Sequence, residues 1–217
     1  MILHIYVFGS LCRGEVSRNS DVDLLALVDG FDSRFNPDSY SIYSYGRIKE
    51  LWMEGNPFAW HLSKESCMIF SSDETDFIKE LGKPSTYENC IRDCEKFRSV
   101  FLRGREQVIG GSASTIFELS TIFLSMRNIA TCYSLGVLNV PCFSRDAALR
   151  LGSESAPIPL SAFQIFERSR ILCTRGEGIA LDSSEIAQVI PILDDLDVWM
   201  ATLVAKARSN ERIQLQN

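Results

Sequence analysis

"FGSLCRGEVSRNSDVDLLALVD", residues 8–29, places a Gly-Ser turn after one apolar run and an Asp-Val-Asp at the head of another. The flanking runs, "ILHIYVF" (2–8) and "VDLLALV" (22–28), are short, β-rich and bounded by turn residues, as buried strands are. Between them Gly9, Ser10, Gly14, Ser17, Asn19 and Ser20 require a turn, with a short helical turn expected around Leu11 to Val16. In a strand, alternate side chains leave on the same face, so Asp21 and Asp23 point one way and Val22 and Leu24 the other. Two carboxylates on one face repel unless a cation lies between them. Hard oxygen donors suit Mg²⁺, which also bridges substrate phosphates. Gly9 lets a ligand approach the backbone closely, and the Ser10 hydroxyl with nearby N–H groups can face phosphate oxygens.

Working outward, "SYSIYSY" (39–45) reads as a third strand after the loop "DGFDSRFNPD", and from Gly46 the pattern turns helical. "RIKELWME" and "DETDFIKEL" end at glycines, whereas "FAWHLSKESCMIF" fits helix or strand. A boundary is expected near 82–86, where Ser85-x-x-Glu88 has the form of a capping box opening a long helix. Beyond it the chain reads as about five helices, over 88–109, the 116–137 stripe, 145–151, 161–173 and 184–208, with Pro191 kinking or restarting the last. The stripe Ile116, Leu119, Phe123, Met126, Ala130, Tyr133, Val137 recurs at three and four and needs a partner surface, which favours a homodimer if it is exposed. The expected architecture is α+β: a small mixed-sheet domain over 1–84 followed by an α-helical bundle domain over 86–217.

With 217 residues, 46% of them hydrophobic and 23% charged, the composition is that of a soluble globular protein, and no apolar run approaches a membrane span. The N-terminus has no basic region or cleavage site of a signal peptide, and the seven scattered cysteines suit reduced thiols in a cytoplasmic protein. Net charge is −6, concentrated in residues 1–86, with eight basic against thirteen acidic residues; the remainder has fourteen against fifteen. A site for a divalent cation or a cationic substrate fits that acidity, and unaided nucleic-acid binding does not.

The segment "GSLCRGEVSRNSDVDLLALV" resembles the signature of the polymerase-beta-like nucleotidyltransferase superfamily in its small prokaryotic branch. Gly9, Ser10, Arg13, Gly14, Ser20, Asp21, Asp23 and Leu24 carry the resemblance, with ten residues between Ser10 and Asp21. It implies Mg²⁺-dependent transfer of a nucleoside monophosphate from an NTP, ATP by expectation, to an acceptor hydroxyl. Asp21 and Asp23 would hold the metal, Gly9 and Ser10 would contact the triphosphate, Arg13 would neutralise it, and Ser20 would brace the metal strand. Relatives that catalyse transfer carry a third carboxylate on the next strand, but here Ser41 stands between Tyr40 and Ile42. Asp38, Glu50, Glu54 and His61 are the alternatives nearby, His61 reading first as a partner of Trp52, Phe58 and Trp60. Two readings follow: an active transferase, or a catalytically weakened nucleotide-binding regulator of a toxin–antitoxin or defence-type system.

The helical half resembles HEPN bundles over one helix. Arg127 and Asn128 match the Arg-Asn of ribonuclease members, but Cys132 occupies the place of their histidine, which ranks a HEPN-type ribonuclease last. The resemblance of the first half to nucleotidyltransferases instead implies a bundle that closes the acceptor side of the cleft, as helical domains do in drug-modifying members, with Tyr133 helping to shape the pocket. Cys90 and Cys94 read as core, "DDLD" (194–197) as a solvated helix face, and "RGREQ" (103–107) as surface or a basic patch. The acceptor is a small molecule, a protein or an RNA, with no membrane partner.

Overall fold

The two apolar runs around the Gly9 turn form neighbouring strands. In the computed structural model, which describes residues 2–15 and 22–214, β1 (Leu3–Phe8) pairs antiparallel with β2 (Asp23–Val28), setting Phe8 opposite Asp23. β3 (Ser41–Tyr43) runs parallel to β2, with Ser41 opposite Leu25, and β4 (Ser66–Ser71) runs antiparallel to β1. The order is β3-β2-β1-β4, a mixed four-stranded sheet.

Period-two alternation sorts the sheet's side chains onto two faces. Tyr6, Phe8, Leu25 and Leu27 meet Ile48, Leu51 and Trp52 of α1 (Tyr45–Met53) and Ala59 and Leu62 of α2 (Pro57–Glu65). Leu3, Ala26 and Val28 take the other face with Phe35. Burying each such aliphatic or aromatic side chain contributes about 1.5–3 kcal/mol, so the alternation fixes the register of β1 against β2. His4 is the polar exception on β1, 1% exposed. Its Nδ1 lies 2.8 Å from the Tyr45 hydroxyl and its Nε2 3.2 Å from the Thr75 carbonyl, so the buried ring is satisfied. Burial, with the charges of Asp29 and Asp73, pushes Tyr45 up to about 12.

Side-chain caps start both helices. Ser44 accepts the Arg47 N–H ahead of α1, and Asn56 accepts the Phe58 N–H ahead of α2, with Pro57 in the first turn where no N–H is needed. The ambiguous "FAWHLSKESCMIF" is both elements in succession: helix to Glu65, then strand from Ser66. After α3 (Phe77–Glu80) the chain is strapped across α1 and α2. Ser85 donates its N–H to the Trp52 carbonyl at 3.0 Å, and its own carbonyl accepts from Trp60 Nε1 at 3.0 Å. This corrects the expected capping box. Ser85 is held in the strap, and α4 begins at Cys90 after Asn89, which makes no side-chain cap.

Contacts divide the chain into two compact units, Met1–Glu88 and Asn89–Asn217. The second contains α4 (Cys90–Ile109), α5 (Thr115–Gly136), α6 (Leu160–Arg175), α7 (Ser183–Val189) and α8 (Ile192–Gln214). Residues 145–151, expected as a helix, contain only the short 3-10 turn Ala147–Leu149. Pro191 separates α7 from α8, a restart and not a kink. In the stripe on α5, Leu119, Phe123, Met126, Ala130 and Tyr133 are buried within this unit, which removes the stripe as a reason for a homodimer. Nor is "DDLD" a merely solvated face: Arg98 Nη2 binds Asp197 Oδ1 at 2.7 Å and Arg105 binds Asp194, tying α4 to α8. The same pairing takes Arg105 of the "RGREQ" stretch into a structural contact. Cys90 and Cys94 are buried as core, the hydrogen bond that the Cys94 thiol gives to Cys90, and then burial, pushing the Cys94 thiol up.

The architecture is α+β, a mixed four-stranded sheet with helices followed by a C-terminal helical region. Among the described residues, no helix is long and apolar enough to cross a membrane.

Candidate nucleotide site

The candidate site lies where β1 ends and β2 begins. Gly9 takes φ +76°, a left-handed conformation that side chains with a Cβ rarely adopt. The chain then closes a tight turn in which Glu15 N–H reaches the Ser10 carbonyl at 3.0 Å and Gly14 N–H the Leu11 carbonyl at 3.1 Å. A methyl group on Gly9 would sit 2.8 Å from Asp23 Oδ2, so glycine there makes room for the carboxylate. Gly9→Ala is therefore expected to displace Asp23 and the turn together, costing about 1–2 kcal/mol in backbone strain alone. Thermal unfolding would show that loss.

Asp23 is exposed and stands opposite Phe8 on the face that also carries Leu25 and Leu27. Asp21 and Ser20 lie outside the described residues. Parallel pairing with Leu25 puts Ser41 on that same face, and β3, "SIY", brings no carboxylate to it. Asp38 sits in an exposed turn ahead of β3, its N–H donating to Asn36 Oδ1 at 3.0 Å. Glu50 and Glu54 are bound to Arg47 on α1. Among the described residues, no three His, Cys, Asp or Glu side chains are grouped as a metal site.

Arg13 is already engaged. Its Nε donates to Glu15 Oε2 at 2.8 Å, and its Nη1 donates to Glu65. Glu65 closes α2, and its backbone carbonyl accepts the Gly9 N–H at 3.0 Å. His61, one turn earlier, lies 3.0 Å from Glu65 Oε2 through Nε2 and meets the Phe8 ring edge-on at 5.6 Å. Phe58, one of the expected aromatic partners, and Phe8 both meet its ring edge-on. Burial pushes the Glu65 carboxyl up, but His61 and Arg13 outweigh it and hold the group below its usual range. Stability from this cluster is accordingly present above the ordinary glutamate value, about 4.3, and is lost as pH falls through the lowered one. Sequence reasoning named Arg13 and His61 but missed Glu65; the i, i+4 spacing of His61 and Glu65 on one helix was the available signal.

Of the residues expected in the helical half, Arg127 Nη2 donates to the Phe143 carbonyl at 3.1 Å, a structural tie. Tyr133 is only 2% exposed, and burial raises its hydroxyl's pKa. Asn128, next to Arg127 on α5, is partly exposed.

Residues 2–91 match the family model described as a nucleotidyltransferase domain. That nucleotidyltransferase-like segment includes the whole sheet, the Gly9 turn, Asp23 and the Arg13–Glu65–His61 cluster. A solved structure of a spectinomycin adenyltransferase from Enterococcus faecialis, with ATP and spectinomycin, matches at 12% identity and a TM-score of 0.43, over 95% of this chain and 92% of that chain. No curated protein matches.

Proposed function

We propose that the protein is a cytoplasmic nucleotidyltransferase that moves a nucleoside monophosphate from an NTP, ATP in the first instance, to an acceptor hydroxyl on a small molecule, protein or RNA. The observation that carries this reading is the left-handed Gly9 held against the exposed Asp23 carboxylate, within a segment similar to nucleotidyltransferase domains. Residues 1–84 would form the nucleotidyltransferase-like domain and 86–217 a helical bundle domain.

A hard carboxylate oxygen, solvent-facing and seated where a methyl group would intrude, is suited to a small divalent cation. Asp23, with Asp21, would hold Mg²⁺, whose charge would offset that of the phosphates. The Gly9–Gly14 turn would receive the triphosphate through backbone N–H groups and the Ser10 hydroxyl. Ser20 would brace the strand, and Arg13 would add donors to the phosphates. In the reaction the acceptor oxygen forms a bond to the α-phosphorus, the bond to the pyrophosphate oxygen breaks, and the hydroxyl proton leaves with a base. Positioning and charge stabilisation would supply most of the acceleration.

Ser41 favours a second reading, a weakened nucleotide-binding regulator of a toxin–antitoxin or defence-type system, because serine cannot act as a general base near neutral pH. Incubation with α-labelled ATP, Mg²⁺ and cell extract separates the two. A labelled acceptor supports transfer, and nucleotide binding without any labelled product supports the regulator. Ser41→Asp, which puts a carboxylate on the face shared with Asp23, is expected to raise transfer about tenfold, part of what a placed base contributes. Unchanged transfer in that variant would place the limiting step elsewhere. A HEPN-type ribonuclease draws no support from Arg127, whose guanidinium holds the Phe143 carbonyl, or from Cys132, which is buried.

A further inference from the structure

Glu65 fastens both the backbone and a side chain of the same turn. Its carbonyl takes the Gly9 N–H at 3.0 Å, and its carboxylate takes Arg13 on one side and His61, at 3.0 Å, on the other. His61 in turn rests against Phe8, the residue before Gly9 and opposite Asp23. The anchor therefore joins the end of α2 to both the turn and the end of β1. Neither side chain of the central pair is free in solvent: Arg13 is 18% and Glu65 14% exposed.

The pairing also occupies the arginine's charge. Arg13 faces two carboxylates, Glu15 and Glu65, so its positive charge is offset before any ligand arrives. A polyanionic nucleotide would gain little attraction from it unless a cation accompanied the phosphates. A guanidinium has five N–H donors, so engagement by two carboxylates orients it without exhausting it. The arrangement suits an arginine that is aimed at phosphate but contributes little net attraction.

We propose that Glu65 is a positioning residue of the nucleotide site, which aims the Arg13 guanidinium and cancels its charge so that nucleotide binding depends on a divalent cation. The inference rests on reading the Gly9 turn as a nucleotide site. Removing the Glu65 charge should make the turn more attractive to bare nucleotide while loosening the arginine.

The test is calorimetric titration of the full chain with ATP, once with Mg²⁺ and once with EDTA. Wild type binds with Mg²⁺ and much more weakly in EDTA. In Glu65→Gln the affinity in EDTA rises about three- to tenfold, the effect of one added positive charge at a partly screened site. Adding Arg13→Gln abolishes the gain, and Glu65→Asp retains the wild-type metal dependence. Glu15→Gln, which removes the other carboxylate, shifts affinity in the same direction and serves if Glu65→Gln does not fold. A purely structural Glu65 would instead weaken binding equally with and without Mg²⁺. That result, an unchanged affinity in EDTA, or a gain that survives the loss of Arg13 overturns the inference and leaves the nucleotide site standing. If wild type shows no Mg²⁺-dependent ATP binding, the nucleotide reading itself falls and the inference with it.

Discussion

Asp23→Asn is expected to lower nucleotidyl transfer by at least about a hundredfold, the scale seen when one group stabilising a transferring centre is removed. An amide keeps the size of the carboxylate but loses the charge that would hold the cation. The fold should tolerate the change, because Asp23 is exposed at the first position of β2 and the ladder uses its backbone. Exposed substitutions of this kind usually change stability by less than about 0.5 kcal/mol. Transfer of α-label from ATP and thermal unfolding, measured on the same preparation, separate lost chemistry from lost structure. Equal labelling by wild type and variant would move the active centre away from Asp23.

The largest effect on stability is expected at Gly55. It takes φ +60° between α1 and α2, and a methyl group there would lie 2.2 Å from the Thr86 carbonyl oxygen and 2.5 Å from that of Ser85. Both obstacles are backbone, so no rotamer change relieves them. Gly55→Ala should cost about 3–5 kcal/mol, combining left-handed strain with displacement of the strap that Trp52 and Trp60 hold. Gly82→Ala is the control: φ is +67°, but nothing lies within 4 Å of the added methyl, so only strain of about 1–2 kcal/mol remains. Denaturant unfolding followed by tryptophan fluorescence compares the two. Similar losses in both variants would contradict the clash as the dominant cause.

The local parts of this structure were legible in the sequence. Two strands around a Gly-Ser turn follow from apolar runs and turn residues, and Asp23 opposite the end of β1 follows from that register. Gly55 likewise marked the end of α1. What escaped was set by distant partners. Glu65 ends a helix, and its meaning comes from Gly9 and Arg13, more than fifty residues earlier in the chain. Ser85 has the spacing of a cap, yet Trp52 and Trp60 claim its N–H and carbonyl. Asp194 and Asp197 look like surface charge until α8 lies along α4 and meets Arg105 and Arg98. Asp21, central to the sequence argument, lies outside the described residues, so Asp23 carries the geometric case.

Equilibrium titration of the full chain with ATP over a Mg²⁺ series is the decisive experiment for a metal-dependent nucleotide site at the Gly9 turn. Saturable binding to one site is expected, strengthening as Mg²⁺ rises and largely removed by Asp23→Asn. Binding that is absent at every Mg²⁺ concentration, or that is indifferent to both Mg²⁺ and Asp23, would contradict it.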